Sequence, residues 1–595
     1  MKKPIIEFHD FSWQYLAQSE PTLHNLNFTI REGEKILIAG PSGCGKSTMA
    51  HVINGLIPFS YRGEMKGEVR ICGKKTSELS LFDISHMVGT VLQDSDAQFV
   101  GLTVAEDIAF ALENENVPAK DLFPRVRHAA EEVGVEGVLH HAPSEISGGQ
   151  KQRVSLAGVL AENVPILLFD EPLANLDPET GKQAVKMIDE IQKKRSVTVI
   201  IIEHRIEDVL YRDVDRILLL QEGRLQADLS PDKLLSSDLL LSAGIREPLY
   251  IAALKQAGVS IHADMHPRSM ETIILSETDK EKVRSWFFSF VEQKDAAPSE
   301  ELLECRDVCF AYEKGTQALQ GITLTIRRGE MLAVVGTNGA GKSTFAKVIC
   351  GFERQQEGTL FMTRRNGEKV SLMDLSVKER AEEIGYVMQN PNQMISRVVV
   401  FDETALGLRV RREAAKRAQK EGKLSETMKE YLSLEDEEIK RRTEDALRIC
   451  GLYEMRNWPV SALSYGQKKR VTIASILVLD PEMIILDEPT AGQDYRHYTE
   501  IMDFLGKINN SGKTIVMVTH DMHLMLEYCT RAFVFSEGHL LRDDAPEIIL
   551  TDPDVVRKAS LRRTSLYDLS IMCGIDDAAG FVRVFVQKEQ EKRVP

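Results

Sequence analysis

No apolar run in this 595-residue chain approaches the roughly 18 to 20 residues that a bilayer-spanning helix needs. The N-terminal stretch Met1 to Phe8 lacks the apolar core of a signal peptide. The chain is therefore expected to be soluble. Cysteine is sparse: the eight residues are scattered and form no C-x-x-C pair, which argues for reduced thiols in the cytoplasm and against a disulfide framework or a zinc site. Net positive charge is lacking too. A formal charge of −16 disfavours broad contact with a nucleic-acid backbone and leaves room only for a local basic patch. The apolar share of 43% is ordinary for globular protein, so several cores can be buried, with about four domains expected at roughly 150 residues each.

What is present is a phosphate loop. Gly40-Pro41-Ser42-Gly43-Cys44-Gly45-Lys46-Ser47, followed by Thr48, comes directly after the apolar run Lys35 to Ala39 and before a helix-capable run, Ser47 to Asn54. It fits G-x-x-x-x-G-K-[ST] between a strand and a helix. The glycines let successive backbone N–H groups turn inward, and the following helix N-terminus adds the positive end of its dipole. Lys46 would reach the outer phosphates and Ser47 would ligate Mg²⁺. The pattern then recurs as Gly336-Thr337-Asn338-Gly339-Ala340-Gly341-Lys342-Ser343, followed by Thr344, after Leu332 to Val335.

The recurrence is one part of a long internal repeat. Asp10 to Tyr15 matches Asp307 to Tyr312, and Leu26 to Glu34 matches Ile322 to Glu330. The offset is 296 at Gln93 and Gln389 and has grown to 317 by Ser147 and Ser464, so the second copy carries an insertion. The charge-dense stretch from about Arg411 to Arg442 is the expected site, read as a solvent-exposed helix pair. Each copy alternates apolar and polar residues early, as in Glu68 to Gly73, then turns helix-rich, over about Val104 to Leu139 and Val400 to Leu452. Continuous apolar strands follow, Pro165 to Phe169 and Val197 to Ile202 in copy one, separated by the helical run Thr180 to Gln192. Strands of that type alternating with helices imply a parallel sheet buried on both faces. The class is α/β, twice.

The expected domains are 1–235, a small α+β linker domain over 236–299, 300–545, and a C-terminal extension over 546–595. In the linker, Pro248 to Val259 reads as a helix and Glu271 to Ser276 as a strand, with a true tether near Gln293 to Ser299. In the extension, Phe581 to Val586 reads as a strand.

A phosphate loop needs a carboxylate for the metal and a group to polarise water. Ile166 to Phe169 and Ile484 to Leu486 each run into an acidic pair, Asp170-Glu171 and Asp487-Glu488. The aspartates suit the metal side, and the glutamates suit activating an attacking water. Ser147-Gly148-Gly149-Gln150-Lys151-Gln152-Arg153, upstream of Asp170, resembles the signature motif of ATP-binding cassette (ABC) ATPases, and Ser464-Tyr465-Gly466-Gln467 stands in the matching place. Tyr15 and Tyr312 resemble that family's adenine-stacking aromatic. Gln93 and Gln389 resemble its metal-side glutamine, Asp177 and Asp494 its D-loop, and His204 and His520 its switch histidine.

The resemblance covers about Ile5 to Leu229 and Leu302 to Leu550. It implies ATP with Mg²⁺ as cofactors, two P-loop cassettes each with a mixed sheet core, an antiparallel β subdomain and a helical subdomain, and an ATP sandwich within one polypeptide. One site would combine Lys46, Glu171 and His204 with Ser464 and Gly466. The other would combine Lys342, Glu488 and His520 with Ser147 and Gly149. Tyr465, in place of the first signature glycine, is the departure noted from the pattern.

After the glutamines, Asp94 to Phe110 and Asn390 to Ile395 with Phe401 to Gly407 are similar to the ATPases of energy-coupling factor (ECF) importers. The fused form with Arg246-Glu247-Pro248-Leu249-Tyr250 resembles the subgroup tied to thiamine-precursor-like or cobalt-like transport. The partners this implies are an integral membrane subunit contacted through its coupling helices and a separate membrane substrate-binding subunit, with no nucleic acid, at the cytoplasmic face of the membrane. Two alternatives stay open: a soluble twin-cassette ATPase acting on ribosomes or in DNA repair, and the ATPase of an exporter.

Overall fold

The computed structural model describes residues 2–92, 98–173, 176–290, 300–312, 315, 317–422, 426–490 and 495–593. They divide into two units, Met1–Ser289 with Asp494–Arg496 and Asp568–Asp576, and Phe290–Gln493 with His497–Tyr567 and Asp577–Pro595.

Among the described residues of the first unit, ten strands form two sheets. β1 (Pro4–Tyr15), β2 (Leu23–Arg31), β4 (Gly63–Ile71) and β5 (Lys74–Lys75) make an antiparallel sheet in the order β2-β1-β4-β5. β3 (Lys35–Ala39), β6 (Val88–Val91), β7 (Ile166–Asp170), β8 (Thr198–Ile202), β9 (Arg216–Gln221) and β10 (Arg224–Leu229) make the second, in the order β10-β9-β3-β8-β7-β6. All its neighbours are parallel except the β9–β10 hairpin. The continuous apolar runs are explained by burial on both faces. Ile36, Ile38, Leu168 and Ile200 face the antiparallel sheet and the P-loop helix, while Leu37, Ala39, Leu167 and Ile201 face the helical side. The strand period of two thus divides one sequence run between two cores.

The second unit repeats the plan. β11 (Glu301–Ala311), β12 (Gln317–Arg327), β14 (Glu357–Thr363) and β15 (Lys369–Ser371) form the antiparallel sheet, in the order β12-β11-β14-β15. β13 (Met331–Gly336), β16 (Ile384–Val387), β17 (Met483–Asp487), β18 (Thr514–Val518), β19 (Arg531–Ser536) and β20 (His539–Asp544) form the other, in the order β16-β17-β18-β13-β19-β20. The α/β class, the repeat and the three-part make-up of each cassette are as expected.

Three local expectations are corrected. Glu271–Ser276 is not a strand: Thr272 and Ile273 close a turn onto the Ser269 carbonyl, and Ile274 N–H donates to Met265. Ile273 and Leu275 are buried and Ile274 is exposed, so the alternation is that of an extended segment without a partner strand. The linker's described elements are helical, chiefly Leu249–Gln256 and Glu277–Phe288. Phe581–Val586 lies inside the helix Ala578–Arg593, where buried Phe581, Val582 and Phe585 have the i, i+1, i+4 spacing of a helix face. Finally, the insertion is not a solvated excursion. The helix Val400–Lys420 runs on past its counterpart Val104–Asn114, and Leu408, Ala415, Tyr431, Leu434, Ile439 and Ala446 bury a small core of their own. Arg411 is buried with them, donating to the Ala381 carbonyl at 2.6 Å and to the Tyr431 hydroxyl.

Candidate functional site

Each phosphate loop connects the carboxyl end of a central parallel strand to a helix, β3 to Lys46–Ile53 and β13 to Lys342–Cys350. In open α/β sheets that end is where ligands bind. Gly45 and Gly341 have φ of 102° and 101°, and a Cβ on them would approach Leu23 Cδ2 at 2.6 Å and the Ala318 carbonyl oxygen at 2.4 Å. Only glycine fits there. Lys46 is buried, and its ammonium donates to the carbonyls of Gly40 (2.7 Å) and Pro41 (2.9 Å). Lys342 does the same with Gly336 and Thr337, both at 2.8 Å. Tyr15 and Tyr312 sit beside the loops: each hydroxyl lies 3.2 Å from the oxygen of Thr48 or Thr344, and each ring packs edge-on against the aromatic two residues earlier, Trp13 or Phe310.

The acidic pairs terminate β7 and β17, and the histidines follow β8 and β18, so loop, acids and histidine come from neighbouring strand ends. Glu171 and Glu488 both have φ of 47°, in the left-handed region that costs a non-glycine residue about 1–2 kcal/mol. Their N–H groups donate across the ladder to Ile202 and Val518, both at 2.9 Å. Asp170 Oδ1 is buried without a hydrogen-bond partner among the described residues. Burial pushes its carboxyl up to about 6, against the pull of Lys46 and with a push from Glu203. Burial and then the Glu203 carboxylate push Glu171 up to about 7. In the second cassette burial again raises the Asp487 carboxyl, while hydrogen bonds from Tyr386, at 3.0 Å, and from Ser343 oppose the rise.

Ser147 and Ser464 are exposed N-caps of the helices Gly148–Ala161 and Tyr465–Leu477. Each hydroxyl accepts from the N–H of Gln150 or Gln467, and each glutamine side chain accepts from the serine N–H, a capping box that sets the S-x-x-Q spacing. Gly148, Gly149 and Gly466 occupy the first turns, and a Cβ on Gly149 would approach Thr180 Cγ2 at 2.8 Å. The Tyr465 hydroxyl donates to the Gln389 carbonyl at 3.2 Å, and Gln389 itself is exposed just beyond β16. Asp177 caps the helix Pro178–Arg195, accepting from Thr180 N–H at 3.0 Å. Gln93 and Asp494 lie outside the described residues, as does the tether 293–299.

Two stretches, residues 23–174 and 319–491, match the family model described as ABC transporter. The chain belongs to the ABC transporter ATP-binding proteins. Residues 237–310 of this ABC protein match a further model, described as ATP-binding cassette cobalt transporter. A relative from Clostridium perfringens, named as an ABC transporter ATP-binding protein, is 52% identical over 592 residues, with 100% of both chains covered. Another so named, from Enterococcus faecalis, is 50% identical over 594 residues, again with 100% of both covered. The solved structure of cbiO1 from Clostridium perfringens, described as part of the ABC transporter complex cbiONQ, is 30% identical with a TM-score of 0.36, over 46% of this chain and 100% of that one. ABC cassettes of this kind bind and hydrolyse ATP.

Three residues of this ABC protein that sequence reasoning passed over lie against the acidic pairs. Glu203, fully buried, precedes His204 where Thr519 precedes His520. Lys469, 1% exposed, donates to the Glu488 carbonyl, whereas its counterpart Gln152 donates to the Pro172 carbonyl. Tyr386 holds Asp487 where the first cassette has Thr90. The repeat contained the signal, since each is a mismatch between otherwise matched segments.

Proposed function

We propose that this chain is the ATP-hydrolysing, energy-coupling subunit of an ECF-type membrane importer, taking up a vitamin, vitamin precursor or metal ion. The observation that carries the reading is the segment 237–310, set between two ABC cassettes and matching a family described as an ATP-binding cassette cobalt transporter. No described helix is long and apolar enough to cross a membrane, so in this reading the translocation path belongs to an integral membrane partner, with the chain attached at the cytoplasmic face and a separate membrane subunit binding the substrate.

Within that reading Lys46 and Lys342 bind the outer phosphates, Tyr15 and Tyr312 stack on the base, and Glu171 and Glu488 polarise the attacking water. His520 orients Glu488, His204 is its counterpart beside Glu171, and Gln93 and Gln389 stand on the metal side. The Asp170 oxygen without a hydrogen-bond partner among the described residues and the hydroxyl and carboxylate oxygens of the two P-loop serines and Asp487 are a hard-oxygen donor set suited to Mg²⁺, which Ser47, Asp170, Ser343 and Asp487 would hold. Bound there, the ion would neutralise phosphate charge. In the ATP sandwich this reading implies, each P-loop would be paired with the other cassette's signature serine, Ser464 or Ser147. ATP binding only to the closed pairing would shift the population toward closure, and hydrolysis would release it.

The test is purification of the tagged full chain from detergent-solubilised membranes. A multi-spanning protein in stoichiometric yield is expected, together with ATPase activity that is lost in the Lys46→Ala/Lys342→Ala variant. Recovery with ribosomes and no membrane protein would refute the importer reading.

A further inference from the structure

The two cassettes share a backbone plan, yet they hold their histidines differently. In the second, His520 Nδ1 lies 2.7 Å from Glu488 Oε1, and the Thr519 hydroxyl donates to Glu488 Oε2 at 3.3 Å. The same hydroxyl oxygen accepts from Asp521 N–H at 3.0 Å, which fixes its rotamer. Both oxygens of Glu488 are therefore gripped by consecutive residues at the end of β18. In the first cassette Glu203 replaces the threonine and reverses the arrangement. Its Oε1 accepts from His204 N–H at 2.9 Å and Arg205 N–H at 3.2 Å, and it lies 3.2 Å from His204 Nδ1. His204 Nδ1 is 3.9 Å from Glu171 Oε1, outside hydrogen-bond range.

Glu203 is not a chance surface carboxylate. It is 0% exposed, its Oε2 is buried without a hydrogen-bond partner among the described residues, and a carboxylate in that state is costly unless its surroundings compensate. Burial works against its ionisation, but His204, Arg205 and their amides outweigh it and hold the carboxyl below the usual range. The imidazole is thereby engaged in compensating Glu203. A threonine in its place needs no such compensation, because its hydroxyl donates as well as accepts.

We propose that Glu203 is a positioning residue that draws His204 away from Glu171, so that the first cassette hydrolyses ATP more slowly than the second. The inference rests on the reading above, in which Glu171 and Glu488 polarise the attacking water. The Lys469 exchange acts in the same sense: the second cassette sets a buried ammonium against the Glu488 carbonyl, where the first sets the neutral Gln152 against Pro172. The cost to the first site is that of one mispositioned partner, not of a missing base.

The test uses the purified full chain with one glutamate silenced at a time. In the Glu488→Gln background, which reports the first cassette, Glu203→Thr is expected to raise kcat about tenfold, with the KM for ATP changed less than about twofold. Glu203→Gln, which removes the charge that His204 compensates but keeps an acceptor oxygen, is expected to raise kcat by less than Glu203→Thr does. In the Glu171→Gln background the reciprocal Thr519→Glu is expected to lower kcat by a similar factor, and this arm decides the matter if Glu203→Thr does not fold. An unchanged or reduced kcat in Glu203→Thr, a change confined to KM, or a harmless Thr519→Glu would overturn the proposal. Full activity in the Glu171→Gln/Glu488→Gln double variant would instead overturn the underlying assignment of the glutamates, and is read separately.

Discussion

Glu171→Gln should stabilise the nucleotide-free protein, and by an amount that depends on pH. Burial and the neighbouring Glu203 raise the Glu171 carboxyl from 4.5 to about 7 in the fold, and its side chain is only 17% exposed. A carboxyl whose folded value is raised costs nothing below its unfolded value. The penalty grows as pH climbs from 4.5 toward 7 and is complete above that. The rise from 4.5 to about 7 corresponds to about 3.4 kcal/mol at pH 8.5 and to about 0.8 kcal/mol at pH 5. Glutamine keeps the shape and the backbone hydrogen bond to Ile202 but carries no charge, so it recovers most of that penalty. For a cassette of this size each kcal/mol moves the midpoint by roughly 2–4 °C. Scanning calorimetry in EDTA should show one transition rising by roughly 7–14 °C at pH 8.5 and by no more than about 3 °C at pH 5. A shift of equal size at both pH values would show that charge burial is not its cause, and no shift at pH 8.5 would refute the reasoning altogether.

Other expectations follow from single contacts. Gly341→Ala places a methyl 2.4 Å from the Ala318 carbonyl at a φ of 101°, so the loop must distort; fluorescent-nucleotide titration should show ATP binding at the second cassette lost. Arg411→Leu removes the buried guanidinium that donates to the Ala381 carbonyl at 2.6 Å and to the hydroxyl of Tyr431 in the insertion core, and should cost about 1–3 kcal/mol in urea unfolding of the second unit. Tyr465→Phe removes only the 3.2 Å hydrogen bond to the Gln389 carbonyl, and should lower the midpoint by less than about 1 kcal/mol equivalent while leaving ATP binding intact.

The frame was legible because it rests on period and punctuation. The runs Lys35 to Ala39 and Thr198 to Ile202 could be buried only in a two-faced parallel sheet, and S-x-x-Q at Ser147 and Ser464 is a capping box whatever else it does. What escaped depends on partners far along the chain. Phe581 to Val586 is a short run of β-branched and aromatic residues, as a strand would be, yet its helical i, i+4 faces also close, and packing beside Pro546–Thr551 and Met522–Tyr528 decides for the helix. The insertion looked solvated because its charges are dense, while the few apolar residues among them, Tyr431, Leu434 and Ile439, share one buried face. Glu203 was overlooked because a single acid beside a histidine has no periodicity to betray its burial.

The repeat serves as its own control for the chemistry. Paired strands keep the same order and the P-loop lysines make the same two bonds, so a difference between the cassettes cannot be ascribed to the fold. The differences gather behind the acidic pairs: Glu203 against Thr519, Gln152 against Lys469, Thr90 against Tyr386. The first cassette thus gains a buried carboxylate and leaves Asp170 Oδ1 without a hydrogen-bond partner among the described residues, while the second gains a buried ammonium and a hydroxyl on Asp487. At an effective dielectric near 20, one unit charge about 5 Å away is worth about 3 kcal/mol, the same order as a single residue's share of a catalytic effect. Two or three buried exchanges are therefore large enough to make two sites of one architecture work at different rates, beyond the one departure that the duplicated motifs themselves carry, Tyr465 in place of Gly148.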